Sequence, residues 1–267
     1  MRPAVVAGAF YPSSASELIK VIQRFIDKRA KKENIIAAFV PHAGYVYSGR
    51  VAGAVFSHIV IPPKVIIVAP NHTGMGARIS LFPEGSWEIP TGLVEIDSEL
   101  NDMILKKCPL VKKDVSAHQR EHSAEVQVPF LRYLRSDVKI SVISIATHDY
   151  PKLDSIGVGL AQVVKEAGKE NILLLASTDM THFESHSTAT EKDKLAIDKI
   201  LALDAQGLLQ TVTENDISMC GVGPSTAVLR AAVLLEASQA RLIRYETSGD
   251  ITADKSNVVG YAGIIVK

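Results

Sequence analysis

Cysteine is scarce in this sequence, with only Cys108 and Cys220 among 267 residues. Two thiols make no disulfide framework, so a reducing compartment is the default and a cytoplasmic protein is expected. Excess charge is absent as well. Lys and Arg total 29 and Asp and Glu total 29, so no global field draws the chain to nucleic acid or to an anionic membrane. No apolar run approaches the ~18 residues of a membrane-spanning helix. The opening Met1-Arg2-Pro3-Ala4-Val5-Val6-Ala7-Gly8 runs into Tyr11-Pro12-Ser13-Ser14 too soon to serve as a signal segment. There is no G-x-x-x-x-G-K-S/T loop, and no nucleotide cofactor is expected. What remains is 47% hydrophobic and 22% charged, an ordinary globular balance that excludes disorder, collagen and coiled coil. With no linker, repeat or low-complexity tract to divide it, the chain reads as one domain over residues 1–267.

Local patterns then set the fold class. Ser14-Ala15-Ser16-Glu17 has the capping-box form, and Leu18, Ile19, Ile22, Phe25 and Ile26 follow at helical spacing. Short apolar runs at 35–40, 65–69, 140–146 and 172–176 read as strands. Helical patterns near 49–58, 153–167, 191–203 and 225–237 alternate with them, and two late strands, 241–247 and 258–266, close the chain. Such alternation predicts an α/β fold, a mostly parallel sheet with helices on both faces. Residues 77–96, with Pro83, Gly85, Pro90 and the single Trp87, interrupt the rhythm and read as a hairpin-like excursion.

Four of the eight histidines, His42, His72, His148 and His182, fall just beyond the C-terminal end of a predicted strand. That is where open α/β sheets bind ligands. A lone buried His is more often a satisfied core residue, but several converging on one crevice point to a site. A second group, Ala117-His118-Gln119-Arg120-Glu121-His122-Ser123-Ala124-Glu125, would place His118 with His122 and Glu121 with Glu125 on one helix face. It lacks the H-E-x-x-H order of a zinc protease. It reads equally as an extra polar pocket, formed by His118, His122 and Glu125, or as a polar helix start. The third group is Met219-Cys220-Gly221-Val222-Gly223-Pro224-Ser225. A cysteine just before a helix N-terminus is favoured as thiolate, the form that binds metal or attacks carbon. Its bland alternative is a small hydrophobe in a tight turn. Two imidazoles and one thiolate can close three positions around a transition metal and leave others open. Asp179 and His182, three residues apart, would then act as orienter and acid/base.

Pro41-His42-Ala43-Gly44-Tyr45 with Ser48-Gly49, the 117–125 segment, Ser177-Thr178-Asp179-Met180-Thr181-His182 and Cys220-Gly221 together resemble the Memo family. The opening Arg2-Pro3-Ala4-Val5 and Ala7-Gly8-Ala9-Phe10-Tyr11-Pro12 resemble that family's start, and the match runs in order along nearly the whole chain. The resemblance implies the fold of class III extradiol dioxygenases, non-haem iron enzymes that cleave catechol rings. It also implies that His42, His72 and Cys220 match the metal-ligand positions, with Asp179 and His182 lining the site. The dioxygenases carry a carboxylate where Cys220 stands, and a thiolate there changes metal preference and potential. Fe(II) or Cu is the favoured cofactor, with Zn compatible. Eukaryotic members of the family are described as intracellular effectors that bind phosphotyrosine-bearing receptor segments.

Three functions therefore stay open. One is a metal-dependent oxidoreductase or metal handler, with His182 as base. Another is metal-free catalysis in which Cys220 attacks, His182 deprotonates it and Asp179 orients the imidazole. The third is a non-catalytic module whose crevice binds a peptide or phosphopeptide, with Tyr45, Arg50, Arg78 and Arg120 as candidate contacts. The expected partner is a small molecule or peptide in the crevice.

Overall fold

The computed structural model describes Met1–Lys267. Its strands are β1 (Ala37–Val40), β2 (Lys64–Pro70), β3 (Ile79–Leu81), β4 (Ser86–Ile89), β5 (Gly92–Glu95), β6 (Lys112–Lys113), β7 (Lys139–Ile145), β8 (Ile172–Ser177), β9 (His182–Glu184), β10 (Ala240–Thr247) and β11 (Val258–Val266). Its helices are α1 (Ala15–Phe25), α2 (Tyr45–Ser57), α3 (Ser98–Lys107), α4 (Val128–Leu134), α5 (Tyr150–Ala167), α6 (His186–Leu201), α7 (Ala205–Glu214), α8 (Val222–Leu234) and the single turn α9 (Gly249–Thr252).

The centre of the sheet is parallel, in the order β1, β8, β2, β7. Because successive side chains leave a strand on opposite faces, each of these apolar runs feeds two cores. Ile66 and Val68 of β2 and Leu174 and Ala176 of β8 face one core, with Leu153 of α5 and Ala227 of α8. Val65, Ile67 and Ala69 of β2 and Leu173 and Leu175 of β8 face the other, with Leu18 of α1, Phe56 of α2 and Phe130 of α4. A strand buried on both faces has no polar alternation, which is why these segments read as continuous apolar runs. Toward the edges antiparallel pairs take over, β11 against β1, β10 against β11 and β3 against β7, while the short outermost β6 runs parallel to β3. The sheet is thus mixed, mostly parallel at its centre.

Several local expectations change. Ser14 is the N-cap of α1, but its side chain makes no capping bond, and Ser14 Oγ lies 3.1 Å from Ser16 Oγ. The helix ends at Phe25, and Ile26, at helical spacing in the sequence, is its extended C-cap. Residues 77–96 are only partly an excursion: β3 joins the main sheet, and β4 with β5 forms the hairpin. Helix α7 carries no signal that stands out in the sequence, although its N-cap Asp204 accepts the Gly207 N–H at 2.8 Å. His118 and His122 do not share a helix face. The segment is two short 3₁₀ turns, Ser116–His118 and Glu125–Gln127, separated by loop. Pro129 sits in the first turn of α4, where its missing N–H costs nothing.

Parallel strands end on the same side, so β1, β8 and β2 deliver Pro41-His42, Ser177-Thr178-Asp179 and Asn71-His72 to one edge of the sheet. No helix is long and apolar enough to cross a membrane.

Candidate metal centre

His42 leaves β1 after Pro41 and is almost wholly buried, 2% exposed. Its Nδ1 lies 3.0 Å from Ser177 Oγ at the end of β8, and its backbone N–H donates to Asp179 Oδ1 at 2.7 Å. His72 follows β2 and is the exposed member of the set. Both its backbone N–H and its Nδ1 reach the Glu121 carboxylate, at 2.6 and 2.9 Å. His122 comes from the loop between the 3₁₀ turns, which is tied to the end of β2 by the Ser123 hydroxyl donating to Pro70 O at 3.0 Å. Its ring stacks on His72, with centroids 4.8 Å apart, and stands edge-on to His42 at 5.5 Å. Phe10 covers another side of His122 at 4.7 Å. One ring nitrogen from each of His42, His72 and His122 falls within 4.8 Å of the others.

Electrostatics suit this cluster to a cation. Burial pushes the His42 imidazole well below its usual range, and the neighbouring His122 and His72 rings add to the shift. His122 is lowered as well, chiefly by burial. Neutral rings offer lone pairs, the form a metal requires. Burial works to raise Glu121, but its bonds from His72 and from the Ser123 and His72 N–H groups prevail and hold it at about 2. An ionised carboxylate behind an imidazole fixes the ring and raises its basicity.

Cys220 precedes α8 and is half-buried. Its Sγ lies 3.3 Å from His42 Nε2 and accepts the Asp179 backbone N–H at 3.3 Å. Gly221 makes this approach possible, because a Cβ there would stand 2.5 Å from Thr178 Cβ. The thiolate expected from the helix N-terminus is opposed here: burial raises the thiol, and the neighbouring Asp179 raises it further. His182 is oriented by carbonyls rather than by Asp179. Its Nδ1 lies 2.7 Å from Met180 O and 3.0 Å from Ser218 O, while the Asp179 carboxylate goes to His42. A Cys220–His182–Asp179 relay is therefore not assembled, and the imidazole beside the sulfur is His42.

The second group divides. His122 joins the cluster, whereas His118 is buried 3.1 Å from Ser80 Oγ and held neutral, at about 4, mainly by burial and then by Arg2. Glu125 accepts from Arg2, from the Tyr11 hydroxyl at 2.6 Å and from the Val5 and Val6 N–H groups, so it anchors the N-terminal segment. His148 is exposed at the end of β7 and lies outside the cluster. Sequence reasoning gave no role of their own to Arg2, Gln127 and Ser177, although Arg2 and Ser177 fall within motifs it singled out. The last of these sits two residues before Asp179 at a strand end, the one signal that marked it.

A profile described as Memo-like protein matches residues 2–265. A MEMO1 family protein of Methanopyrus kandleri is 38% identical over 283 residues, spanning 100% of this chain and 99% of its own. One from Methanothermobacter thermautotrophicus is 38% identical, covering 98% of each chain, and one from Ignicoccus hospitalis is 39% identical, covering 99% of this chain and 98% of its own. The crystal structure of an uncharacterised Escherichia coli K12 protein aligns with a TM-score of 0.54 over 87% of this chain and 100% of that one, at 15% identity, a likeness of fold alone. Matched from end to end by the family profile and by relatives of its own length, the chain belongs to the Memo family.

Proposed function

We propose that this protein is a metal-binding member of its family and that the cluster at the ends of β1 and β2 holds a transition metal. The observation that carries the reading is the convergence of His42, His72 and His122, with ring nitrogens within 4.8 Å of one another. Cys220 stands beside them, 3.3 Å from His42 Nε2, as a further donor. The donor set is His42 and His72 with Cys220, His122 or both closing it. Imidazole suits iron, copper and zinc, and a thiolate adds softness, so Fe(II) or Cu is favoured and Zn is compatible. Such an ion supplies Lewis-acid or redox chemistry to a molecule bound in the crevice.

The chain's own groups then have distinct tasks. Glu121 holds His72 in place. His182, with Nδ1 against two carbonyls, presents Nε2 as a proton acceptor for oxidoreductase chemistry on a small molecule. Asp179 holds the His42 backbone in position and stands next to the sulfur. Exposed apolar residues near these groups in the chain, Met75 after β2, Tyr47 in the first turn of α2 and Phe183 in β9, would meet that ligand.

The test is metal content of protein purified anaerobically with Fe(II), Cu or Zn supplied, for wild type and for His42→Ala, His72→Ala, His122→Ala and Cys220→Ser. One equivalent in the wild type, lost in His42→Ala and His72→Ala, is the expected result, and the other two variants assign the remaining donors. A wild type that binds no ion specifically overturns the reading. A crevice that binds peptide equally well in all four variants would favour a non-catalytic module.

A further inference from the structure

The hydrogen bonds around His42 fix where its ring proton sits. Ser177 Oγ has one proton and three close partners: the Ser123 carbonyl at 2.7 Å, Gln127 Nε2 at 2.9 Å and His42 Nδ1 at 3.0 Å. A carbonyl only accepts, and an amide NH₂ only donates. The Gln127 amide, fully buried, is committed because it also donates to Pro41 O at 2.9 Å. Ser177 therefore receives from Gln127, and its own proton goes either to Ser123 O or to His42. The bond to Ser123 O is the shorter. Diverting that proton to the ring would strip a buried carbonyl of its donor, and an unsatisfied buried acceptor is costly. With the hydroxyl proton spent on Ser123 O, the remaining Ser177 lone pair must be met by a proton on His42 Nδ1.

We infer that Ser177, itself held by Gln127 and Ser123, is a positioning residue that locks His42 as the Nδ1–H tautomer with its Nε2 lone pair facing the cluster. This rests on the metal reading only for its consequence, since every bond in the lock is made between the chain's own atoms. It also makes the two ligand imidazoles unequal. His72 donates Nδ1 to a carboxylate, which increases electron density on the ring, whereas His42 donates to a neutral hydroxyl and stays a weaker donor. The histidine side chain in water prefers the Nε2–H form, which would turn a proton instead of a lone pair toward His72 and His122. The buried hydroxyl reverses that preference without adding charge to a site already bordered by Asp179 and Glu121.

The experiment is ¹⁵N–¹H NMR of the histidine rings in the metal-free protein, paired with metal titration. In wild type the His42 resonances, assigned by their loss in His42→Ala, should show Nδ1 protonated and Nε2 bare. In Ser177→Ala the ring should move toward Nε2–H, with the Cys220 sulfur as its new partner. Metal affinity should then fall roughly 10–100-fold while the His72 tautomer stays as it was. Nε2–H in the wild type overturns the lock even if metal binds, and so does an unchanged His42 tautomer in Ser177→Ala. If Ser177→Ala does not fold, the wild-type tautomer decides alone. If the wild type shows Nδ1–H yet binds no ion, the lock stands and the metal reading falls.

Discussion

The two sides of the candidate site are fastened by different chemistry. On the side of β1 and β8 the ties are mostly neutral: His42 to Ser177, Ser177 to Ser123 and Gln127, and His182 to two carbonyls, with the Asp179 carboxylate taking the His42 backbone N–H as the one acidic tie. On the side of residues 118–125 they are charged. Glu121 grips His72, Glu125 takes Arg2 at 2.6 Å with both side chains buried, and Arg2 also donates to the carbonyls of His118 and Glu121. The guanidinium lies 4.0 Å over the Trp87 ring. The difference follows from the backbone. Strand ends in the middle of a sheet are already placed by ladder bonds, so weak ties suffice to aim a ring. A segment of two 3₁₀ turns has few regular bonds of its own, and buried charge holds it.

On that contrast, breaking the charged side should cost most. Arg2→Met leaves Glu125 buried without its cation and should destabilise by about 3–5 kcal/mol, read from urea denaturation. Adding Glu125→Gln should recover part of the loss, and a single-variant loss under 1 kcal/mol would erase the contrast.

The charged side should also carry acid sensitivity through His118. The unfolded chain takes up a proton there below about pH 6.5, whereas the fold, burying the ring beside Arg2, resists it until about 4. A folded value depressed below the unfolded one means a contribution complete above about pH 6.5 and lost as pH falls toward 4, on the order of 3 kcal/mol. His118→Gln should reduce the slope of the stability profile in that window, the lowered His42 and His122 keeping the rest, and a profile unchanged from wild type would remove His118 as a source.

On the neutral side the effects should be smaller. Gly221→Ala would force a Cβ to 2.5 Å from Thr178 Cβ and 2.6 Å from Ser177 O. Overpacking of this kind costs about 1–3 kcal/mol, and displacement of Cys220 should appear as altered thiol reactivity. Smallest of all is Phe183, 75% exposed and left-handed at φ 61°. Asn tolerates that backbone better, so Phe183→Asn should leave thermal stability within about 1 kcal/mol of wild type or raise it slightly.

Much of the strand-end half was legible. The runs ending before His42, His72 and Asp179 are apolar without alternation because both faces are buried, and that pattern locates their C-terminal ends within a residue or two. The 117–125 group was not legible in the same way. Its i, i+4 spacings suggested one helix face, yet the chain forms separate 3₁₀ turns, because Arg2, more than a hundred positions earlier, supplies the donors for carbonyls a helix would have used internally. A contact of that separation leaves no local periodicity to find.

By itself, then, the sequence determined the central strands and most of the helices between them, the two-faced sheet and the family, since each depends on local apolar spacing or on ordered motifs along the chain. The tertiary structure alone decided which histidines meet. It turned His118 inward to Ser80 and brought His122 to His42 and His72. It set Cys220 against His42 rather than His182, and it gave the orientation of His182 to the Met180 and Ser218 carbonyls. Those outcomes turn on which donors and acceptors lie within about 3 Å once the loops pack, and composition and spacing carry no record of that distance.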